Sequence, residues 1–282
     1  MIEKRQARLA RRGRLVHSAA MTRQLHLRLQ KMRWIATAAM VLASAPAMAA
    51  AVGDSPASIH CLETVTTNIS AAMAEAEALY QGGNTVGSRH CLGDALVAQG
   101  EAPRGARILD GLAREVAKSH NLSPEVEGSI WADAGRAWLE ADDVDKSLAA
   151  FEHAVTLTPN DIQLRVDRAV AFGNARKFWE AIDDLNTAIA GGVTTAEAYL
   201  LRATAYRQVG SPELATDDIN RAAAKAPNDP EVLLERGRIR KLAGDIAGAE
   251  RDFLAVLKLA PGSDASVAAR HELELLTSRK PR

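Results

Sequence analysis

Residues 128–261 repeat with a period of 34 residues, and four copies align without a gap. The windows open at Gly128, Ile162, Ala196 and Pro230. Their eighth place holds Gly135, Ala169, Ala203 and Gly237, and their twentieth holds Ser147, Ala181, Ala215 and Ala249. The twenty-fourth holds Phe151, Leu185, Ile219 and Phe253. Such a beat means that one supersecondary unit is copied, that each unit buries its apolar face on its neighbours, and that the chain grows in one dimension.

Within each window the apolar residues fall at i, i+3, i+4 and i+7, the helical period. Polar breaks divide each window into two helices: Ala141-Asp142-Asp143, Asn174-Ala175-Arg176, Gly210-Ser211-Pro212 and Gly244-Asp245. Pro159, Pro227 and Pro261 close three windows, because proline cannot continue a helix. Tiny residues at places eight and twenty predict close approach of the paired helices, and the large residue at place twenty-four fills the space beyond.

This small-small-large pattern resembles the tetratricopeptide repeat. The resemblance implies an all-α fold, a right-handed superhelical solenoid of antiparallel helix pairs with a C-terminal capping helix. It divides the chain into an N-terminal extension and signal (1–49), a leader and N-terminal helix (50–85) and a degenerate repeat with an insertion (86–127). Repeats at 128–161, 162–195, 196–229 and 230–263 follow, then a capping helix and tail (264–282). In this family the first helices line a concave groove for other chains. That places Ala132, Arg136 and Glu140 in the groove, with Val166, Val170 and Asn174, Leu200, Thr204 and Gln208, and Leu234, Arg238 and Leu242. The lysines and asparagines that clamp a terminal carboxylate in one subclass are replaced here by Val166, Val170, Leu200 and Thr204. Val166, Leu200 and Leu234 suggest an apolar strip for an amphipathic helix or an extended peptide. An equal alternative is a self-assembling module whose own N-terminal helix, residues 58–80, fills that strip. An accessory role beside an envelope enzyme, or small-molecule binding, is a lesser alternative with no specific residue behind it.

Arg168, Arg202 and Arg236 stand at the seventh place, where the family usually has leucine, and sixteen residues later stand Asp184, Asp218 and Asp252. The first window has Ala134 and Ala150 at those two places. Arginine and aspartate appear together and vanish together, so the three pairs read as structural ion pairs, planar fork to carboxylate. An arginine ladder gripping an acidic ligand is the weaker reading, since the aspartates already supply the counter-charge.

The chain is formally neutral, but residues 1–49 hold ten of the 35 basic residues and one of the 35 acidic ones. The remaining body has 25 basic against 34 acidic residues and no basic stripe, which argues against nucleic-acid binding. Met21 to Ala49 reads as a secretory signal. Arg23, Arg28, Lys31 and Arg33 precede an apolar stretch, Trp34 to Leu42, too short for a stable span, and Ala47-Met48-Ala49 is a small-x-small cleavage site. Met21 is a candidate true start, and cleavage after Ala49 or Ala50 leaves a periplasmic or secreted chain with no stable membrane span.

The leader ends in one expected helix of about five turns, marked by Leu62, Val65, Ile69, Met73, Ala76 and Tyr80. Cys61 and Cys91 are the two cysteines, and an even count in an exported chain favours a disulfide. A straight helix over 58–80 antiparallel to the next would hold them about 20 Å apart, so bonding requires Cys61 to fold back before the helix starts, or the two helices to lie side by side in parallel phase. His60 and His90 precede these cysteines, but a zinc site from the four is weak because adjacent helix residues point apart; both histidines are expected at the surface. No catalytic constellation, cofactor loop or other metal set is found. His271-Glu272 lacks the second histidine of a zinc-protease string. After Pro261, Val267, Leu273 and Leu276 alternate with Arg270, Glu272 and Glu274, the pattern of a cap with a polar outer face.

Overall fold

The computed structural model describes residues 56–83 and 85–278. The signal and the alternative start at Met21 lie outside them. The described residues form thirteen α-helices and no strand. Two precede the array, α1 (Pro56–Val65) and α2 (Ile69–Gly82). The helix pairs are α3 (Val86–Ala98) with α4 (Ala102–Ser119), and α5 (Pro124–Glu140) with α6 (Val144–Leu157). Next come α7 (Ile162–Asn174) with α8 (Phe178–Ala190), and α9 (Ala196–Gln208) with α10 (Pro212–Lys225). The last are α11 (Pro230–Leu242) with α12 (Ile246–Leu259), and the single α13 (Asp264–Ser278). None is long and apolar enough to cross a membrane.

The repeat's small-large rule has a direct steric cause. A Cβ placed on Gly93, Gly135 or Gly237 would come within 2.6 Å of Leu109, 2.9 Å of Phe151 or 2.5 Å of Phe253, the large residue of the same unit. Phe151, Leu185 and Phe253 are fully buried at that crossing, and Ile219 nearly so. The turn inside each pair is equally periodic. Gly100, Asp142, Arg176, Gly210 and Gly244 all occupy the fifteenth place, and all have positive φ, from 59° to 91°. Among the described residues α13 has no second helix of its own unit, and there the eighth place is His271, an exposed residue far too large for the crossing.

Two expectations about the ends need correction. The N-terminal helix is two helices. Thr66 and Thr67 interrupt it, and the Asn68 side chain accepts a hydrogen bond from Ala71 N–H, capping a fresh start. The break folds α1 back beside α3, so Cys61 and Cys91 are bonded, with their Cα atoms 6.1 Å apart. Leu62, Val65, Ala72 and Ala76 bury against Leu92, Ala95 and Leu96. α1 and α2 thus pack on each other and on α3, at one end of the solenoid, and do not lie along the repeats as a plug. In α13 the expected polar outer face is misassigned at two positions. Glu272 is buried and Val267 is 46% exposed, because the helix turns its acid inward to basic side chains of α11.

Candidate functional site

Successive first helices pack on one another, α5 on α7, α7 on α9, α9 on α11 and α11 on α13. Second helices make no contact of that weight with each other. The first helices therefore form the inner, tighter row of the curve, and the second helices the outer row.

Each of the three seventh-place arginines meets its aspartate through two hydrogen bonds. Arg168 donates from Nε and Nη2 to Asp184 at 2.7 and 2.8 Å. Arg202 does the same to Asp218 at 2.6 and 2.7 Å, and Arg236 to Asp252 at 3.0 and 2.6 Å. The three carboxylates are buried, and each hydrogen bond holds its guanidinium above the ordinary arginine value. Two arginines also reach backwards: Arg168 Nη1 donates to Glu152 and Arg202 Nη1 to Asn186, both at 2.8 Å. The pair thus closes one unit and ties it to the one before. Arg168 and Arg202 lie over Phe172 and Tyr206 four residues on. The fourth unit has Arg240 at that place, and it donates to Asp252 instead, at 2.7 Å. With its charge already met by aspartate, the series has the character of a frame and not of an acidic-ligand ladder.

A second set of ion pairs runs along the inner row between first helices. At the N-terminal end His90 Nε2 lies 2.8 Å from Asp133 Oδ2 and 3.5 Å from Asp94 Oδ2. Arg136 donates to Asp133 Oδ1 at 2.6 Å and to Asp167 on α7. At the C-terminal end Arg207 donates to Glu235, Arg238 donates to Glu272 at 2.8 Å, and Lys241 also donates to Glu272. Burial drives the Asp94 carboxyl up to about 7, helped by repulsion from Asp133. Burial pushes Asp133 the same way, but Arg136 and His90 outweigh it and hold it down at about 2. Burial likewise raises Asp167 against the pull of Arg136.

Residues 196–239 match the tetratricopeptide-repeat family model. The chain has the tetratricopeptide-repeat fold, a solenoid of helix pairs. Among solved structures, MamA of Desulfovibrio magneticus (residues 41 to the end) superposes with TM-score 0.55 at 17% identity, over 64% of this chain and 99% of that one. A thermophilic repeat protein of Thermus thermophilus gives 0.53 at 17%, over 67% and 100%. One from Parabacteroides merdae gives 0.56 at 14%, over 78% and 82%. At these identities the likeness is one of fold. No curated protein sequence matches.

The tetratricopeptide-repeat geometry redraws the groove expected from sequence. Val166, Val170, Leu200 and Leu234 are buried, at 3%, 3%, 8% and 0% exposure, so the expected apolar strip is part of the core between first helices. Ala132 is buried with them. The chain's inner face is instead polar: Glu140 and Gln208 are exposed, and Arg136, Asn174, Thr204 and Arg238 are half-buried. Leu242, at 58% exposure, is the apolar exception among the expected groove residues. His90 is buried, contrary to the surface placement expected for it, while His60 is exposed. Both cysteines are taken by the disulfide, which removes the sulfur donors of the four-residue zinc set. The inner-row ion pairs escaped sequence reasoning because they join places five, six, nine and twelve of different units with different residue types. The seventh-place pairs recur with one type and one spacing.

Proposed function

We propose that the chain is an exported, non-catalytic scaffold whose inner face holds a segment of a partner protein. Tetratricopeptide-repeat chains generally act as protein-interaction scaffolds, and export agrees with the signal-like segment at 21–49 and with a disulfide, a bond of oxidising compartments. One observation carries the reading of the face. The inner row presents exposed Glu140 and Gln208 with half-buried Thr204, Arg207 and Lys241 over a floor of buried Val166, Val170 and Leu200. A polar surface on a rigid floor suits an extended segment of mixed charge better than the apolar face of an amphipathic helix. The self-plugged alternative loses its support, since α1 and α2 pack at the end of the row.

The test is photo-crosslinking in the native envelope. A photo-reactive residue at Glu140 or Gln208 is expected to trap the same partner, and one at exposed Glu250 on α12 to trap none. Equal yields from all three sites would exclude recognition by the inner face. Replacing Leu200 by glutamate is unsuitable here, because it would bury a charge in the core.

A further inference from the structure

We infer that His90, Asp94 and Asp133 form a binding site for one divalent first-row metal ion, Zn²⁺ foremost, which ties α3 to α5. His90 and Asp94 are four residues apart on α3 and share a face; Asp133 comes from α5, the next first helix. Their donor atoms, one nitrogen and two oxygens, lie within 4.8 Å of one another. Two of the separations are 2.8 and 3.5 Å. The edge of a tetrahedron around zinc is about 3.3 Å for bonds of 2.0–2.1 Å. Small side-chain adjustments therefore turn the present contacts into coordination.

Charge points the same way, independently of distance. Among the described residues, the contact chain from Asp94 to Asp167 holds three carboxyl groups and one guanidinium, that of Arg136, so acids outnumber the fixed cation. At the opposite end of the inner row the balance is reversed among the described residues: Arg207, Arg238 and Lys241 meet Glu235 and Glu272. Arg136 does not block the site. It holds Asp133 by Oδ1 and leaves Oδ2 toward His90, the way an outer hydrogen bond orients a ligating carboxylate. The three side chains are 10–16% exposed, so the cluster is not sealed from solvent. An imidazole among the donors favours zinc and its first-row neighbours over Mg²⁺ or Ca²⁺, which take oxygen ligands. Sulfur plays no part, because Cys91 is bonded to Cys61.

The test uses tag-free full chain, stripped with a chelator and titrated with Zn²⁺ against a chromophoric competitor, then with Co²⁺ as a spectroscopic stand-in. One ion per chain is expected, with visible Co²⁺ bands and no thiolate charge-transfer band. Asp94→Asn and His90→Gln should each weaken binding at least tenfold, and Asp143→Asn, in an acidic turn on another part of the surface, should leave it unchanged. Asp94→Asn removes a like charge, so its metal-free fold should melt no lower than that of the parent, and lost binding then reports the ligand itself. Absence of saturable binding, or binding undiminished in Asp94→Asn, overturns the assignment. So does equal displacement of Zn²⁺ by millimolar Mg²⁺.

Discussion

The two ends of the inner row use the same places for opposite purposes. At place nine the N-terminal end has Asp94 and Arg136, and the C-terminal end Arg238 and Glu272. Between them, Val170 and Thr204 occupy that place, and Leu201 stands where Asp133, Asp167 and Glu235 supply acids. The C-terminal cluster has more cations than carboxylates and is arranged donor to acceptor. Among the described residues the N-terminal cluster has more carboxyl groups than cations, and Asp94 lies 3.5 Å from an imidazole that Asp133 also engages. One end is a closed fastener, and the other is strained by its own charge and open to a cation. Ion pairs of equal length therefore say little until the charges around them are counted.

The largest expected effect breaks the closed end. Glu235 is 2% exposed and lies between Arg207 and Arg238. Glu235→Ala strands the Arg207 guanidinium, while Arg238 keeps Glu272, and its cost is roughly 3–5 kcal/mol, the range for breaking a buried pair from one side. Repeat arrays need not unfold in one step. Hydrogen exchange should accordingly show the loss concentrated in α9–α13, with α3–α6 little changed. A loss spread evenly over the chain, or none, would show that the C-terminal cluster is not a local fastener.

The open end should respond with the opposite sign. With metal removed, Asp94→Asn is expected to stabilise the chain above pH 7 by about 1–2 kcal/mol, since it relieves a buried like-charge contact. The pH dependence follows from direction. The Asp94 carboxyl, ordinarily near 3.8, is raised to about 7, so the folded chain holds that proton more tightly than the unfolded one. Its contribution is complete below about pH 4 and is lost as pH rises through 7. Asp133, held at about 2, works the other way: its contribution is present above pH 4 and is lost as pH falls through 2. Denaturation midpoints between pH 4 and 8 should fall with pH in the parent and fall less in Asp94→Asn. The residual slope is expected because Asp167, too, is raised by burial. Identical slopes would mean that Asp94 carries its charge without penalty, and the contrast between the ends would disappear.

Sequence legibility followed the same division. The helix pairs were readable because the eighth, twentieth and twenty-fourth places repeat a steric requirement, the one seen where Gly135 and Gly237 meet Phe151 and Phe253. The Arg168, Arg202 and Arg236 pairs were readable because each is closed inside its own unit at a fixed spacing. The groove was not, because burial of Val166, Leu200 and Leu234 depends on how tightly neighbouring first helices curve together, which a single unit does not encode. The N-terminal fold-back was illegible for a similar reason. The apolar positions of residues 62–80 keep helical phase across the break, and only the Asn68 cap and the tie from Cys61 to Cys91 reveal the reversal.

The smallest expected effect sharpens the comparison at the fifteenth place. Of the four regular units, the later two turn with Gly210 and Gly244 and the earlier two with Asp142 and Arg176, all at positive φ. A side chain in the left-handed region costs on the order of 1 kcal/mol, and glycine's greater freedom in the unfolded chain offsets part of the relief. Arg176→Gly should thus stabilise by about 0.5 kcal/mol, seen as slower hydrogen exchange in α7 and α8. Gly210→Arg should do the reverse in α9 and α10, although nothing lies within 4 Å of a Cβ there to clash. Because that site is open, only backbone strain can produce the effect. If both substitutions are neutral, strain at the turn does not distinguish the halves, and the difference between the two ends lies in the charges of the inner row alone.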